Sequence, residues 1–159
     1  MHSNIFQIST EPIEKKRYCN PDDIDGGDMV SLDYAYDTKT EERTALIRSL
    51  VENILPQGMF TLNPDTETLT YNGGMAEWKK KYVADIQRHA MEVDEQNVMK
   101  WIGKAYHLQI AIANPLDTAC LFITEEYAPA EHSRELMLMI DRLQEGEQLY
   151  IGAILGYHF

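Results

Sequence analysis

Gln148-Leu149-Tyr150-Ile151-Gly152-Ala153-Ile154-Leu155-Gly156-Tyr157 decides the fold class, because the run is apolar on both alternating faces. Leu149, Ile151 and Ala153 share one parity, and Tyr150 and Ile154 fall on the other. A strand with one wet face would alternate apolar and polar residues instead. The sequence therefore predicts a carboxyl-terminal strand buried on both faces and central in its sheet. Gly152 and Gly156 repeat the spacing of a membrane-helix contact, but residues 149–155 are far too few to span a bilayer. Glycines over a central strand allow close packing instead.

Upstream of this run, Leu136, Met137, Ile140 and Leu143 predict a last helix, with Pro129 in its first turn and Gly146 as a left-handed cap. Leu108, Ile110 and Ile112 follow a two-residue period before the turn Asn114-Pro115-Leu116-Asp117. With residues 120–124 they predict a second hairpin, a helix running on through Ala113 being the alternative. A third helix is expected from near Asp94, including Val98, Trp101, Ile102 and Ala105. A second follows Asn72-Gly73-Gly74, with Met75, Trp78, Tyr82, Ile86, Ala90 and Val93 on one stripe and Glu77 and Lys81 four apart on the wet side. Phe60, Leu62, Leu69 and Tyr71 alternate around Asn63-Pro64-Asp65-Thr66 and predict a hairpin. Thr38-x-x-Glu41 fits a capping box, opening a first helix through Leu46, Ile47, Leu50, Val51, Ile54 and Leu55 that Pro56 stops. Val30, Leu32, Tyr34 and Tyr36 alternate as a strand would, residues 12–27 read as loop, and Ile5 to Ile8 as a short strand. The expectation is one α+β domain over residues 1–159, with three to four helices on a largely antiparallel sheet.

The chain carries 26 Asp and Glu against 14 Lys and Arg, a formal net charge of -12, which repels nucleic-acid phosphates and anionic lipid heads. Its hydrophobic fraction of 44% is that of a foldable chain, so the acidity does not imply disorder. The charge is uneven: residues 1–55 are net -5, 56–104 net -1 and 105–159 net -6. The first residues have neither the basic nor the apolar region of a signal peptide, and a cytoplasmic protein is expected. Cys19 and Cys120 are read as free thiols, Cys120 buried and Cys19 exposed.

Candidate chemistry is sparse. Asp22-Asp23-Ile24-Asp25-Gly26-Gly27-Asp28 invites a calcium-loop reading, but from Asp23 the turn-glycine position holds Asp28 and position twelve holds Tyr34. A solvated Asx-turn loop is the better account. Glu131-His132-x-x-Glu135 places a His and a carboxylate three apart at the start of the last helix, one His short of a zinc site; first-turn acids favoured by the helix dipole explain the carboxylates. His2, His89, His107, His132 and His158 form no local signature with either cysteine, and no nucleophile elbow, Walker loop or dinucleotide fingerprint is present. Trp78-Lys79-Lys80-Lys81-Tyr82, with Arg88, mixes bases and aromatics as a nucleic-acid surface does. Helical spacing assigns the aromatics to the core stripe and the lysines to solvent. No catalytic, cofactor-binding or metal residue is therefore assigned.

Phe6-Gln7-Ile8-Ser9-Thr10-x-Pro12-Ile13-x-Lys15, an acidic stretch, a capped helix and the Trp78-to-Tyr82 helix resemble a group of small acidic bacterial hypothetical proteins over roughly the first half of the chain. That group carries no assigned activity, so the resemblance implies none. The functional expectation is a non-enzymatic interaction or regulatory protein with a protein partner of basic or mixed surface, and neither nucleic acid nor membrane as direct partner. The alternatives are an acidic nucleic-acid mimic that inhibits a DNA-binding protein, and an enzyme whose site converges from dispersed residues such as His132, Glu135 and the tyrosines.

Overall fold

Strand β6, Gln148–His158, runs through the middle of a six-stranded sheet, as its two apolar faces require. The fold is that of a computed structural model, which describes residues 1–124 and 129–159. On one edge β6 pairs antiparallel with β1, His2–Ser9. On the other it meets β4, Thr68–Tyr71, at its start and β2, Tyr34–Asp37, at its end. β3, Phe60–Asn63, forms the predicted hairpin with β4, and β5, Leu121–Ile123, joins β1 in parallel. The helices are α1, Arg43–Ser49, carried on by a π turn over Leu50–Ile54; α2, Met75–Met91; α3, Lys104–Ala113; and α4, Arg134–Ile140. The α+β class, the largely antiparallel sheet and the central carboxyl-terminal strand are as the sequence predicts. Among the described residues no helix is long and apolar enough to cross a membrane.

A bulge sets how β6 faces its surroundings. Phe6 pairs with Ile154 and Ile8 with Ile151, two steps on β1 against three on β6. The extra residue switches the phase of the strand. Leu149, Ile151 and Ile154 therefore pack with Phe6, Ile47, Leu50 and Leu136, whereas Ala153, Leu155 and Tyr157 turn to the other face with Ile5, Leu121 and Ile123. This corrects the parity read from the sequence, which set Ala153 with Leu149 and Ile151. The Gln7 side chain serves the bulge: its Oε1 accepts from Ala153 N at 3.0 Å and Cys19 N at 3.2 Å, and its Nε2 donates to Arg17 O at 3.0 Å. A β-carbon on Gly152 would lie 2.5 Å from that Oε1 and 2.9 Å from Ile13 Cδ1, so a side chain there would displace the Gln7 amide from the bulge.

Between the ends of β4 and β2, the other edge of β6 has no strand beside it. Arg43 fills the gap, donating from Nη1 to Gly152 O at 2.7 Å and from Nη2 to Ile151 O at 3.0 Å, while its Nε pairs with Glu67 at 2.6 Å. Thr38 Oγ1 donates to Ile154 O at 2.6 Å.

Several local expectations are corrected. Thr38 spends its hydroxyl on Ile154, so no capping box forms with Glu41; a 3-10 turn over Thr40–Glu42 leads into α1 instead. Of the strand expected over residues 30–36 only β2 forms; Val30 and Leu32 pack on the second apolar cluster from irregular chain. The helix expected from Asp94 starts at Lys104, because Asp94 Oδ1 accepts from Gln96 N and Asn97 N and Asn97 Nδ2 donates to Glu92 O. Such side-chain bonds compete with helix. Residues 108–112 are helix, not a strand of a second hairpin; a short apolar run fits either period, and packing against α2 decides it. Ala130 and Glu131 make isolated bridges to Gly26 and Phe122, so Pro129 is not in a helical first turn and α4 starts at Arg134. Gly146 is left-handed, at φ +90°, but in the turn into β6 and not as a helix cap.

Arg43→Met should lower the unfolding free energy by about 2–4 kcal/mol, since it leaves two carbonyls of a buried strand and a half-buried carboxylate without their donor. Arg43→Lys should recover less than half of that, because an ammonium does not span the fork. Urea denaturation measures both, and an unchanged midpoint for Arg43→Met would show that β6 does not need the plug.

Candidate functional site

The residues singled out in the sequence mostly serve the fold. Asp22 and Asp23 lie in a 3-10 turn over Pro21–Asp23, with Asp23 accepting from Asn20 Nδ2 at 3.2 Å, the solvated polar loop expected. His132 Nε2 lies 3.3 Å from Met29 O, and its Nδ1 is buried with no partner among the described residues. Glu131 folds its carboxylate against Gly27, where any β-carbon would meet it at 2.1 Å. Burial, then the charge of Asp28, pushes the Glu131 carboxyl up, with His132 opposing and Glu135 adding to the rise. Only Glu135 is a first-turn helix acid. Among the described residues no three His, Cys, Asp or Glu side chains converge to hold a metal ion.

Both cysteines are free; Cys120 is buried as expected, but Cys19 is half-buried and not exposed. Burial, and next the Asp23 charge, pushes the Cys19 thiol up. Tyr157 donates to Ala119 O, and burial with the neighbouring Cys120 pushes its phenol up to about 12. Of the lysine run, Lys79 pairs with Asp141, and Lys80, not Lys81, pairs with Glu77.

What the sequence reading missed is an exposed apolar surface on the α2–α3 arm. Met75 is the one α2 residue fully buried; Trp78 and Tyr82 stack at 5.0 Å and are half-buried, and Tyr82 donates to Ile112 O at 3.0 Å. No residue of α3 is fully buried. In the turns between the helices, Trp101 and Met99 are each 91% exposed and Ile102 68%. The sequence predicts Trp101 and Ile102 within a third helix; Asp94 and Asn97, which bond locally to the backbone, were the signal against it.

This tip borders a groove of about 770 Å³. Trp101, Ile102 and Tyr106 line one side, and Met29 and Val30 of the irregular chain before β2 line the other. Asp28 and Lys100 sit on opposite walls, and neither makes an ion pair with a described residue. The arm is electrically distinct: residues 75–113 hold six Lys and Arg against five Asp and Glu, whereas the rest of the chain holds eight against twenty-one.

No protein-family model matches the chain, and no curated protein and no solved structure matches it either.

The crowding at Glu131 has a measurable sign. The folded protein holds this carboxyl above its ordinary range, so its ionisation weakens the fold once pH exceeds that range, and below it folded and unfolded states both carry the proton. Glu131→Gln should therefore raise Tm at pH 7 and change it little at pH 3.5, roughly below the ordinary Glu value. A lower Tm at pH 7 would show that the carboxylate is held by a favourable partner.

Proposed function

We propose that the protein is a non-enzymatic interaction protein that docks a protein partner on the tip of its α2–α3 arm. The observation carrying this reading is Trp101, 91% exposed beside Met99 and Ile102. Tryptophan is highly buried on average, and large exposed apolar patches mark interaction sites. Aromatic anchors of this kind supply a large share of binding energy when a partner excludes water around them. The groove beside the tip adds a concave wall, and the arm lacks the strong negative charge of the remainder, so a partner approaches the apolar side chains without meeting the main acidic surface.

Tagged wild-type and Trp101→Ala proteins recovered from cells after cross-linking, and compared by quantitative mass spectrometry, test the reading. At least one protein should co-purify with the wild type and fall roughly tenfold with the variant, since anchor residues cost more than 1 kcal/mol when truncated. Unfolding free energies from urea denaturation should agree to within about 0.5 kcal/mol, because an exposed side chain contributes little to stability. Identical recoveries, with the fold intact, would overturn the proposal.

A further inference from the structure

We infer that the groove beside Trp101 receives a basic amphipathic segment of a partner protein, its apolar side chains on Met29, Trp101, Ile102 and Tyr106 and its Lys or Arg side chains towards Asp28. The inference rests on the interaction reading above and adds to it the chemistry of the partner.

The argument is complementarity of charge on a surface whose apolar part is already exposed. Residues 28–31 supply one wall, with Asp28 as its acid, and the stretch around them, residues 20–38, contains six Asp and no Lys or Arg. Asp28 in the wall, and Asp22 and Asp25 in the chain leading to it, form no ion pair with a described residue, whereas Asp33 is met by His158 at 2.8 Å. Behind it stand Glu131 and Glu135, and the Glu131 carboxyl is already crowded by Asp28. Arg134 already pairs with Glu135 at 2.9 Å, so the carboxylates left to repel an anion and attract a cation there are Asp28 and Glu131. The facing wall offers the other half of the match: Trp101 and Tyr106 present aromatic faces that take aliphatic side chains and also attract ammonium or guanidinium groups. Met29 adds an unbranched, polarizable side chain that adapts to varied apolar shapes.

Lys100, on the Trp101 wall, gives the groove a direction. The basic groups of an incoming segment are steered to the Asp28 side and its apolar stripe to the arm. An acidic segment would meet Asp28 and the acidic chain around it, with a single favourable contact at Lys100. A second copy of the chain is disfavoured by the -12 each would carry. Recognition of an amphipathic segment by anchors in an apolar groove, with flanking charges choosing the partner, requires only side chains that the site already exposes.

The test uses the full-length protein and fluorescein-labelled synthetic peptides read by anisotropy. One peptide has Leu and Lys at amphipathic helical spacing, a second has Glu in place of Lys, and a third keeps Lys but has Ser in place of Leu. The Leu/Lys peptide should bind, with affinity falling as salt rises, and the other two should bind at least roughly tenfold more weakly. Trp101→Ala should weaken the Leu/Lys peptide roughly tenfold. Asp28→Asn should weaken it about threefold, and Asp65→Asn, which removes the same charge from the β3–β4 turn outside the groove, should leave it unchanged.

Equal losses from Asp28→Asn and Asp65→Asn, or equal binding of the Ser/Lys peptide, would reduce the effect to general attraction and overturn the inference. Tighter binding of the Leu/Glu peptide, or a Trp101-dependent dimer of the protein alone in sedimentation, would assign the groove to another occupant. If no peptide binds while Trp101→Ala still loses a cellular partner, the basic-segment inference falls and the interaction reading stands. Retention of every cellular partner by Trp101→Ala overturns the reading beneath it.

Discussion

Three side chains, Gln7, Arg43 and Thr38, supply the hydrogen bonds that β6 cannot obtain from a neighbouring strand, and the rest of the fold depends on them. A strand buried on both faces has no water to satisfy its backbone, so each polar group must find a partner within the protein. β6 breaks its ladder twice at nearly the same place. On the β1 side the bulge displaces Ala153 N, which Gln7 recovers; on the opposite side the interval between β4 and β2 leaves the carbonyls of Ile151, Gly152 and Ile154, which Arg43 and Thr38 cover. The guanidinium suits this position because it offers several fixed donors at once and stays charged, and Glu67 balances that charge in a half-buried site.

The bulge also divides the interior. By moving β6 out of phase it sends Ile154 to the side of α1 and α4 and Ala153 to the side covered by the chain around Tyr18, Ile24, Val30 and Leu32. The long irregular stretch before β2 is thus held by apolar contacts even though few of its backbone groups join a ladder. Holding that stretch against the sheet places Met29 and Asp28 opposite the α2–α3 arm. The groove is a consequence of how the second cluster is covered.

Much of this was legible in the sequence where a segment is long, strongly patterned and bounded by turn residues. The central strand over 148–157, the β3–β4 hairpin around Asn63 and Pro64, and the stripe from Leu46 to Leu55 formed as read, except that the bulge moved Ala153 off the face of Leu149 and Ile151. The failures share a cause: side chains that bond outside the local pattern. Thr38 resembles a helix cap until a distant carbonyl claims it, and Asp94 and Asn97 resemble helix residues until they bond to the nearby backbone. The parallel pairing of β5 with β1 has no local signature, because a three-residue strand is chosen by the partner that buries it. Trp101 was expected in a helix for the related reason that apolar residues at helical spacing read as one, and the local bonds of Asp94 and Asn97 leave it in exposed turns instead.

The uneven charge of the chain takes a spatial meaning once the arm is separated from the sheet. An apolar tip on a neutral molecule of this size invites indiscriminate association. Here the acidic remainder repels like copies, while the near-neutral arm lets other surfaces approach its tip. Asp28, one of the carboxylates that disfavour self-association, lines the groove, so under the proposed reading one charge distribution would oppose a second copy and favour a basic partner. Salt separates the two effects from the apolar one: screening shortens the reach of the acidic wall and leaves the transfer of Trp101 out of water untouched. Affinity at the tip would then reside in the side chains of the arm, and the choice of partner in the Asp-rich chain that faces them.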